Sequence, residues 1–431
     1  MNHPNPIDDL PAYGQDIFNY LSANTASNHQ LHIILSFNGQ LRQNILAKAI
    51  RITMNIEPVL GCNFTDHCEH PYFKRRIDLA SLDHCLVYES ENPDTDLNQF
   101  VALPINSKKD PLVQAQIFRT KTKDILCIKL DHIVSDGGGL KEYIYLLAKV
   151  YTHLCSHFAY SISEKSSRRD CAYILKYFGV DDPLKAWHPS QSSPLPAWSF
   201  PSLQYKNQHP SFSMRQVKAK QLLILKAVAK KHKATINDIL LTAYYRALFK
   251  ITATPENKAQ PISVSADFRH YIPNKVIVAN ISSSFNSSLT KNAGESFINT
   301  LKRVAQNTAK LKQNHSIVLT ALFFEFIGSL NFSEAKKIYE TIDQQNRKVN
   351  TLPPFLSNIG IINPIRFGDL SANEGYIVTP AMFAPLFMLG VSTYNNVLTI
   401  IVNHYNSDNN QKTIESFLDS MLEDLEAVNS T

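Results

Sequence analysis

One short stretch combines a side chain that titrates near neutral pH with an acid and three glycines. His132 ends an apolar run over residues 125–131, and Asp136 and the glycines 137–139 follow four residues later. Histidine is the usual general base for a hydroxyl or amine nucleophile because its unperturbed pKa lies nearest physiological pH. The alternative is a core histidine beside an ordinary turn. If the protein does chemistry, the pattern predicts His132 as its base.

The residues around His132 indicate how it is positioned. Residues 125–131 are apolar and rich in β-branched side chains, as in a buried strand, and an apolar stripe at helical spacing begins at Leu140. The glycines between them indicate a tight turn with close backbone approach. Asp136 would either brace this turn through an ion pair or orient the imidazole.

Length and composition exclude several function classes. The chain has 431 residues, 44% hydrophobic and 19% charged, which is typical of a folded protein with two or three cores. The net charge of +6 is spread over scattered basic residues, so no nucleic-acid-binding stripe is expected. The sequence contains no apolar run of about 18 residues, so no transmembrane helix is predicted. No secretory signal is visible at the N-terminus, and a cytoplasmic protein is expected.

The cysteines do not predict a disulfide framework or a metal centre. All six lie in the first half of the chain, and a disulfide scaffold of this length would be unusual, so a reducing compartment is expected. The segment 62–70, CNFTDHCEH, contains potential zinc ligands. Their spacing is irregular and no second ligand pair follows at a recognised distance. We therefore expect no metal site.

The chain divides into two halves that each mix apolar strands with amphipathic helices. Residues 11–22 are aromatic-rich and are expected to pack on the first sheet. A proline- and aromatic-rich stretch then separates the halves, with Trp187 and Trp198 indicating that it is docked. The predicted division is residues 1–160 as an N-terminal lobe with the histidine motif, 161–215 as a crossover, and 216–431 as a C-terminal lobe. The predicted fold class is α/β.

The motifs and their order resemble the chloramphenicol acetyltransferase-like superfamily. This superfamily includes the condensation domains of peptide synthetases and the wax-ester, alcohol and polyketide-associated acyltransferases. Its motif His-His-x-x-x-Asp-Gly stands here as Asp131-His132-Ile133-Val134-Ser135-Asp136-Gly137. Residues 263–269 (SVSADFR) resemble the Asp-x-Arg strand end of the family, and residues 357–360 (SNIG) are similar to its crossover strand.

The resemblance implies two lobes with mixed sheets and helices, arranged as a V-shaped pseudo-dimer around a central tunnel. It implies that His132 is the general base in that tunnel. It also implies that Asp136 is structural and pairs with Arg269, and that Gly137 leaves room at the turn. Further residues proposed as oxyanion donors or tunnel lining are Gly138, Ser357 and Asn358.

The activity implied is transfer of an acyl group from a thioester to a hydroxyl or amine of a small-molecule acceptor. An acyl-CoA donor is the first hypothesis, a donor tethered to a separate carrier protein is the second, and a catalytically silent binding member is the third. No bound cofactor is expected. The protein is expected to be a monomer. Asp131 replaces the first histidine of the motif, which weakens the link to peptide-synthetase condensation domains. Gly138 and Gly139 replace bulkier residues of the family and suggest a wider local channel. Acyl chain, acceptor and pathway are left open.

Overall fold

In a computed structural model, the chain forms two six-stranded sheets, each covered by helices. The structure describes residues 9–23, 25–163, 166–188, 198–201, 209–254, 256, 258–272, 277–313, 316–405 and 408–429. This two-lobed mixed architecture confirms the α/β class predicted from the sequence.

The first sheet has the strand order β12-β13-β2-β7-β6-β5. Its strands are β2 (Gln30–Phe37), β5 (Leu86–Glu89), β6 (Val113–Arg119), β7 (Asp124–Asp131), β12 (Arg366–Phe367) and β13 (Leu370–Val378). A small separate sheet contains β1 (Leu10–Pro11), β3 (Cys62–Thr65) and β4 (Tyr72–Arg75). β2 and β7 are antiparallel and pair Gln30 with Asp131. This register brings the residue before β2 next to the residue after β7.

The second sheet has the strand order β10-β9-β11-β14-β15-β8. Its strands are β8 (Pro210–Val217), β9 (Gln260–Asp267), β10 (Ser282–Leu289), β11 (Phe355–Ile362), β14 (Met388–Tyr394) and β15 (Val397–Tyr405). β11 runs parallel to both neighbours, and the other pairs are antiparallel. β14 and β15 are joined by a turn at Asn395 and Asn396, both with left-handed φ.

Helices cover both sheets through their apolar faces. They are α1 (Gly14–Ser22), α2 (Gln43–Ile56), α3 (Pro93–Ala102), α4 (Gly137–Ser156), α5 (Ala172–Leu175), α6 (Pro183–Ala186), α7 (Ala219–Lys231), α8 (Ile236–Ile251), α9 (Phe297–Gln313), α10 (Ile317–Ser329), α11 (Phe332–Val349) and α12 (Asp408–Glu426). α2 and α4 share one core with the first sheet. α7, α8, α9 and α12 share another core with the second sheet. α8 begins with a capping box formed by Thr235 and Asp238.

Helix α1 differs from the sequence-based expectation. It packs mainly on α10 and α11 instead of on the first sheet: Ile17 is buried with Ile327 and Phe332. The ring of Phe18 lies 5.7 Å from Phe323 and 5.6 Å from Tyr339, both edge-on. Aromatic rings on three helices meet here, so α1 connects the N-terminal part of the chain to the C-terminal half.

The chain crosses between the two sheets more than once. β13 follows β11 in the chain, yet it pairs with β2 in the first sheet. The predicted lobe boundaries at residues 160 and 215 are not tested by this pairing and remain predictions. Both tryptophans of the predicted crossover are docked: Trp187 stacks on Phe326, and the indole N–H of Trp198 donates to the carbonyl of Pro261 at 2.7 Å. Residues 164–165, 189–197 and 202–208 of that crossover lie outside the described residues.

Several surface and composition features bear on function. All six cysteines are free thiols, and Cys68 is the exposed one among them. The carbonyl of Cys68 accepts a 3.2 Å hydrogen bond from the N–H of Phe332, the first residue of α11.

Within the described ranges, no helix has the length and apolarity needed to cross a membrane. The same ranges contain no group of three or more acidic, histidine or cysteine side chains arranged for a metal ion.

Candidate active site

His132 follows β7 directly, at the point where the strand turns toward α4. Its backbone N–H donates a 2.9 Å hydrogen bond to the carbonyl of His29, which immediately precedes β2. The Asp131 carboxylate accepts a 3.0 Å hydrogen bond from the backbone N–H of Ile133. The end of the central strand pair therefore fixes the backbone of His132 from both sides.

Two buried amides hold the imidazole and its carbonyl. The Nδ2 group of Asn280 donates to the carbonyl of His132 at 2.9 Å and to that of Ile133 at 3.0 Å. The Nδ2 group of Asn19, on α1, donates to the same His132 carbonyl at 2.9 Å and lies 3.1 Å from the Nδ1 atom of His132. Among the described residues, no hydrogen bond reaches the other ring nitrogen, Nε2. Nδ1 is thus the anchored nitrogen and Nε2 the unoccupied one.

A buried ion pair contacts the Asn280 amide. Asp16, on α1, accepts from the Nδ2 group of Asn280 at 2.9 Å and from the guanidinium of Arg169 at 3.0 Å. Arg169 also donates to the carbonyl of Val134 at 2.7 Å. Because Asp16 and Arg169 are both nearly inaccessible to solvent, each charge depends on the other, and together they connect α1, the crossover and the histidine loop.

The Asp136 carboxylate braces the loop from the other side. One oxygen accepts from the N–H of Gly139 at 2.8 Å and lies 2.9 Å from the Arg269 guanidinium, and the other accepts from the N–H of Ile281 at 2.9 Å. Arg269 lies in a short 3₁₀ turn after β9 and also donates to the carbonyl of Ala279 at 2.7 Å. None of these contacts is to the imidazole of His132. This is the residue pair that the resemblance implied.

The three glycines belong to α4, which begins at Gly137 and not at Leu140 as the stripe of apolar residues suggested. A Cβ on Gly138 would lie 2.6 Å from Nη1 of Arg269, and a Cβ on Gly139 would lie 1.9 Å from Oγ of Ser135. The missing side chains therefore make room for the Asp136–Arg269 pair. Packing against this pair accounts for Gly138 and Gly139. The sequence had suggested instead that these glycines widen the local channel.

A cavity of about 300 Å³ opens beside the imidazole. His132 and His29 lie in its wall, together with Asn19 from α1. Most of the remaining wall is apolar, and its larger apolar side chains are Phe18, Tyr339, Ile342, Leu352, Phe355, Met382, Phe383, Leu386 and Met388. α11 supplies one side, and the loop after β13 supplies another. The cavity can hold an apolar molecule with its reactive group against His132.

Burial sets the protonation of the site. It lowers the pKa of His132, although the charge of Asp136 and the carbonyl groups around the ring raise it. Burial and the neighbouring His132 lower the pKa of His29 to about 3. Burial raises the pKa of Asp131 to about 7. Both imidazoles are therefore neutral at physiological pH, as a general base must be before it accepts a proton.

The remaining residues proposed from sequence lie elsewhere. The Asn358 side chain accepts from the N–H of Gly360 at 2.9 Å and donates to Asn237 at 3.3 Å. Gly138, Ser357 and Asn358 are not in the wall of the cavity, so their proposed roles remain predictions. Gly137 does face β11, since a Cβ there would lie 2.4 Å from Ile359.

Sequence reasoning missed the residues that arrive from distant parts of the chain. Asn19 and Asn280 lie 113 and 148 positions from His132, and no local motif marks them. His29 and the Asp16–Arg169 pair were missed for the same reason. One signal was available: Asn280 is the single polar residue in the run 277–281 (IVANI), as expected for a buried side chain with a specific partner.

Comparison with known proteins agrees with this architecture. The condensation-domain family matches residues 17–259, more than half of the chain. A search of curated proteins finds no match.

Solved structures share the whole fold. The first condensation domain of the calcium-dependent antibiotic synthetase, in complex with a substrate analogue, has a TM-score of 0.71 at 14% identity, covering 99% of this chain and 98% of that one. Trichothecene 15-O-acetyltransferase from Fusarium sporotrichioides has a TM-score of 0.71 at 11% identity, over 98% and 96%. A mutant starter condensation domain of rhizomide synthetase, in complex with C8-CoA, has a TM-score of 0.64 at 14% identity, over 98% and 96%. The chain belongs to the condensation-domain family of acyltransferases, as its motifs indicated.

Proposed function

We propose that the protein transfers an acyl group from a thioester to a hydroxyl or amine acceptor, with His132 as general base. The observation that supports this most directly is the position of His132 in the cavity wall. Its Nδ1 and carbonyl oxygen are held by buried amides, while Nε2 has no hydrogen-bond partner among the described residues. A base needs one fixed nitrogen and one free nitrogen within reach of the acceptor.

The proposed step uses the Nε2 atom. The step requires the tautomer with its proton on Nδ1, in which the two amide hydrogens of Asn19 are donated to the carbonyl of His132 and to Oδ1 of Asn280. Neutral His132 then takes the proton of the acceptor through Nε2. The acceptor oxygen or nitrogen forms a bond to the thioester carbonyl carbon, and the carbon–sulfur bond breaks as the tetrahedral intermediate collapses. The proton held on Nε2 then passes to the departing thiolate. Low solvent access to the ring favours the neutral form that starts this sequence.

An acyl-CoA is the proposed donor. The rhizomide starter domain, which shares the fold, was solved with C8-CoA, and the cavity beside His132 is large and apolar enough for a chain of comparable size. A thioester on a carrier protein presents the same reactive carbonyl, so the two donors differ only in what carries the sulfur.

An assay with octanoyl-CoA tests the proposal. The purified protein is incubated with octanoyl-CoA and benzylamine or benzyl alcohol, and the amide or ester is measured by mass spectrometry. We expect product with the wild type and at least a roughly 100-fold loss in His132→Ala, the range typical of a missing general base. His67→Ala, which removes an exposed histidine of β3–β4, is the matched control and should retain full activity.

The outcomes separate the hypotheses. Equal rates in the wild type and His132→Ala would refute the general-base role. Transfer from an octanoylated carrier protein without transfer from octanoyl-CoA would assign the donor to a carrier. Binding of octanoyl-CoA with no turnover from either donor would favour the catalytically silent alternative.

A further inference from the structure

Arg169 lies in the crossover and outside the cavity wall, yet its guanidinium joins three segments of the site. Nη1 donates to the carbonyl of Val134 at 2.7 Å and to that of Val278 at 3.3 Å. Nη2 donates to Asp16, on α1, at 3.0 Å. Val134 follows His132 by two positions, so one side chain of the crossover holds the histidine loop against α1 and against the segment around Val278.

Ser167 holds Val278 from its other side. The Ser167 hydroxyl oxygen accepts from the N–H of Val278 at 2.8 Å, and the hydroxyl proton goes to the Glu57 carboxylate at 2.6 Å. Glu57 directly follows α2 and also accepts from the N–H of Ser167 at 3.0 Å. Both backbone groups of Val278 are therefore bonded to the crossover. Asn280 lies two positions further on, so these contacts also place its side chain.

The position of the Asn280 amide decides where one hydrogen of Asn19 goes. The nitrogen of Asn280 donates to Asp16 at 2.9 Å. It also donates to the carbonyls of His132 and Ile133, at 2.9 and 3.0 Å. Asn19 has two amide hydrogens and three neighbouring acceptors, which are the carbonyl oxygen and Nδ1 of His132 and Oδ1 of Asn280. Nδ1 of His132 and Oδ1 of Asn280 thus compete for the second hydrogen.

We propose that Arg169 is a positioning residue that selects the tautomer of His132. The proposal rests on the function proposed above and makes it more specific. By fixing the Asn280 segment, Arg169 keeps Oδ1 of Asn280 where it takes the second hydrogen of Asn19. Nδ1 of His132 then carries its own proton, and Nε2 keeps the lone pair that a base needs.

Loss of Arg169 releases this selection. When Asn280 moves away, the second hydrogen of Asn19 is donated to Nδ1 of His132. That contact requires an unprotonated Nδ1, so the proton of the neutral ring lies on Nε2. A ring in this form cannot accept a proton through Nε2. The rate of the chemical step then falls, while the cavity that binds the acyl chain is unchanged.

Breaking a buried ion pair also lowers stability, and a second pair provides the matched comparison. Arg169 and Asp16 are 8% and 2% exposed, so removing either charge leaves the other buried without its partner. Arg119 binds both oxygens of Asp124, at 2.9 and 2.8 Å, and one backbone carbonyl. Asp124 begins β7 and His132 follows its end, which places this second pair roughly 25 Å from the imidazole.

Kinetics of Arg169→Met and Arg119→Met with octanoyl-CoA test the proposal, at a temperature where both variants are folded. Both should melt below the wild type. We expect Arg169→Met to lower kcat by roughly 10- to 100-fold, the range for removal of a group that orients a histidine. The KM for octanoyl-CoA in this variant, and kcat in Arg119→Met, should change by less than about threefold. Equal losses of kcat in the two variants, or none in Arg169→Met, would overturn the assignment.

The double variant Asp16→Asn/Arg169→Met separates stability from positioning. It leaves no unpaired buried charge and keeps an amide oxygen for Asn280, so the melting temperature should rise above that of Arg169→Met. The carbonyls of Val134 and Val278 still lack their donor, so kcat should stay low. Recovery of kcat together with the melting temperature would assign Arg169 a structural role alone and refute the proposal.

Nitrogen NMR of protein labelled with ¹⁵N-histidine tests the tautomer without turnover. With His132→Ala used for assignment, His132 of the wild type should show a protonated Nδ1 and an unprotonated Nε2. Arg169→Met, or the double variant if the single one does not fold, should shift both signals toward the opposite tautomer, and Arg119→Met should not. An unprotonated Nδ1 in the wild type, or an unchanged pattern without Arg169, would refute the selection. The proposed acyl transfer is judged separately by the activity of His132→Ala.

Discussion

The Asp136 carboxylate is held by two backbone N–H groups and one guanidinium. It is 3% exposed, so its charge is stable only while Arg269 remains beside it. The pair joins the start of α4 to the turn after β9, and these elements come from different halves of the chain. At the scale of single residues, the aspartate thus maintains the loop on which His132 sits.

Asp136→Asn should therefore act on stability. Leaving Arg269 buried without its partner is expected to cost about 3–5 kcal/mol of unfolding free energy, visible as a lower melting temperature and lower soluble yield. The control is Glu340→Gln, which breaks the exposed pair with Lys336 and should change stability by less than ~0.5 kcal/mol. Normal stability with a purely kinetic defect would contradict the structural role.

Asp131 makes stability depend on pH. Its pKa is about 7 in the fold and about 3.9 in the unfolded chain, so between these values the folded state holds the extra proton. Stability then falls as pH rises from about 4 to about 7, by up to roughly 4 kcal/mol, and stays level above that range.

Asp131→Asn removes this titration while keeping an oxygen for the N–H of Ile133. We expect the variant and the wild type to melt at similar temperatures near pH 4, and the variant to melt higher at pH 8. Thermal unfolding across pH measures the difference between the two proteins, in which the titrations of His29 and His132 cancel. A constant difference at all pH values would show that folding does not change the pKa of Asp131.

At the scale of elements, the first turn of α4 depends on glycine for packing. An alanine in a helix is usually more stable than glycine by about 1 kcal/mol. Gly138→Ala should do the opposite, because its methyl group would lie 2.6 Å from Arg269 and 2.7 Å from Asp267. We expect a loss of about 1–3 kcal/mol, measured by denaturant unfolding.

Gly294→Asn is the comparison for this change. Gly294 has a left-handed φ of 68° and open space around its Cβ position, and asparagine accepts that conformation. It should be nearly neutral. A stabilised Gly138→Ala would mean that the ion pair shifts freely and does not brace the helix.

Local elements could be predicted from sequence, and their partners could not. The strand–turn–helix around His132 and the charge pair of Asp136 with Arg269 follow from short motifs and a family resemblance. The long-range contact of α1 with α10, and with it the placement of Asn19, depends on tertiary packing that no local periodicity encodes. β13 was missed because its alternation is interrupted by a bulge between Ala372 and Glu374.

At the scale of the whole molecule, the two sheets are interdependent. β13 borders β2, pairing Ile377 with Ile33 and Gly375 with Leu35. Without it, the central strands of the first sheet would present an apolar, unpaired edge, which promotes aggregation. The N-terminal lobe named from sequence is therefore incomplete without residues from the C-terminal half.

Two separated fragments test this dependence. A fragment of residues 1–205 should be largely insoluble when expressed alone, because both β13 and the helices that cover α1 are missing. Co-expression with residues 206–431 should return it to the soluble fraction as a complex that elutes together on size exclusion. A soluble monomeric 1–205 fragment with a cooperative thermal transition would show that the first sheet closes without β13.

The exposure of a single cysteine has a practical consequence. Because Cys68 is the exposed thiol while Cys155 and Cys171 are half-buried, a maleimide dye should modify Cys68 fastest in the native protein. Cys68 is hydrogen-bonded to the first residue of α11, the helix that forms one side of the cavity. Fluorescence from that position reports on the environment of α11 while ligands enter and leave, and it needs no knowledge of the natural substrate.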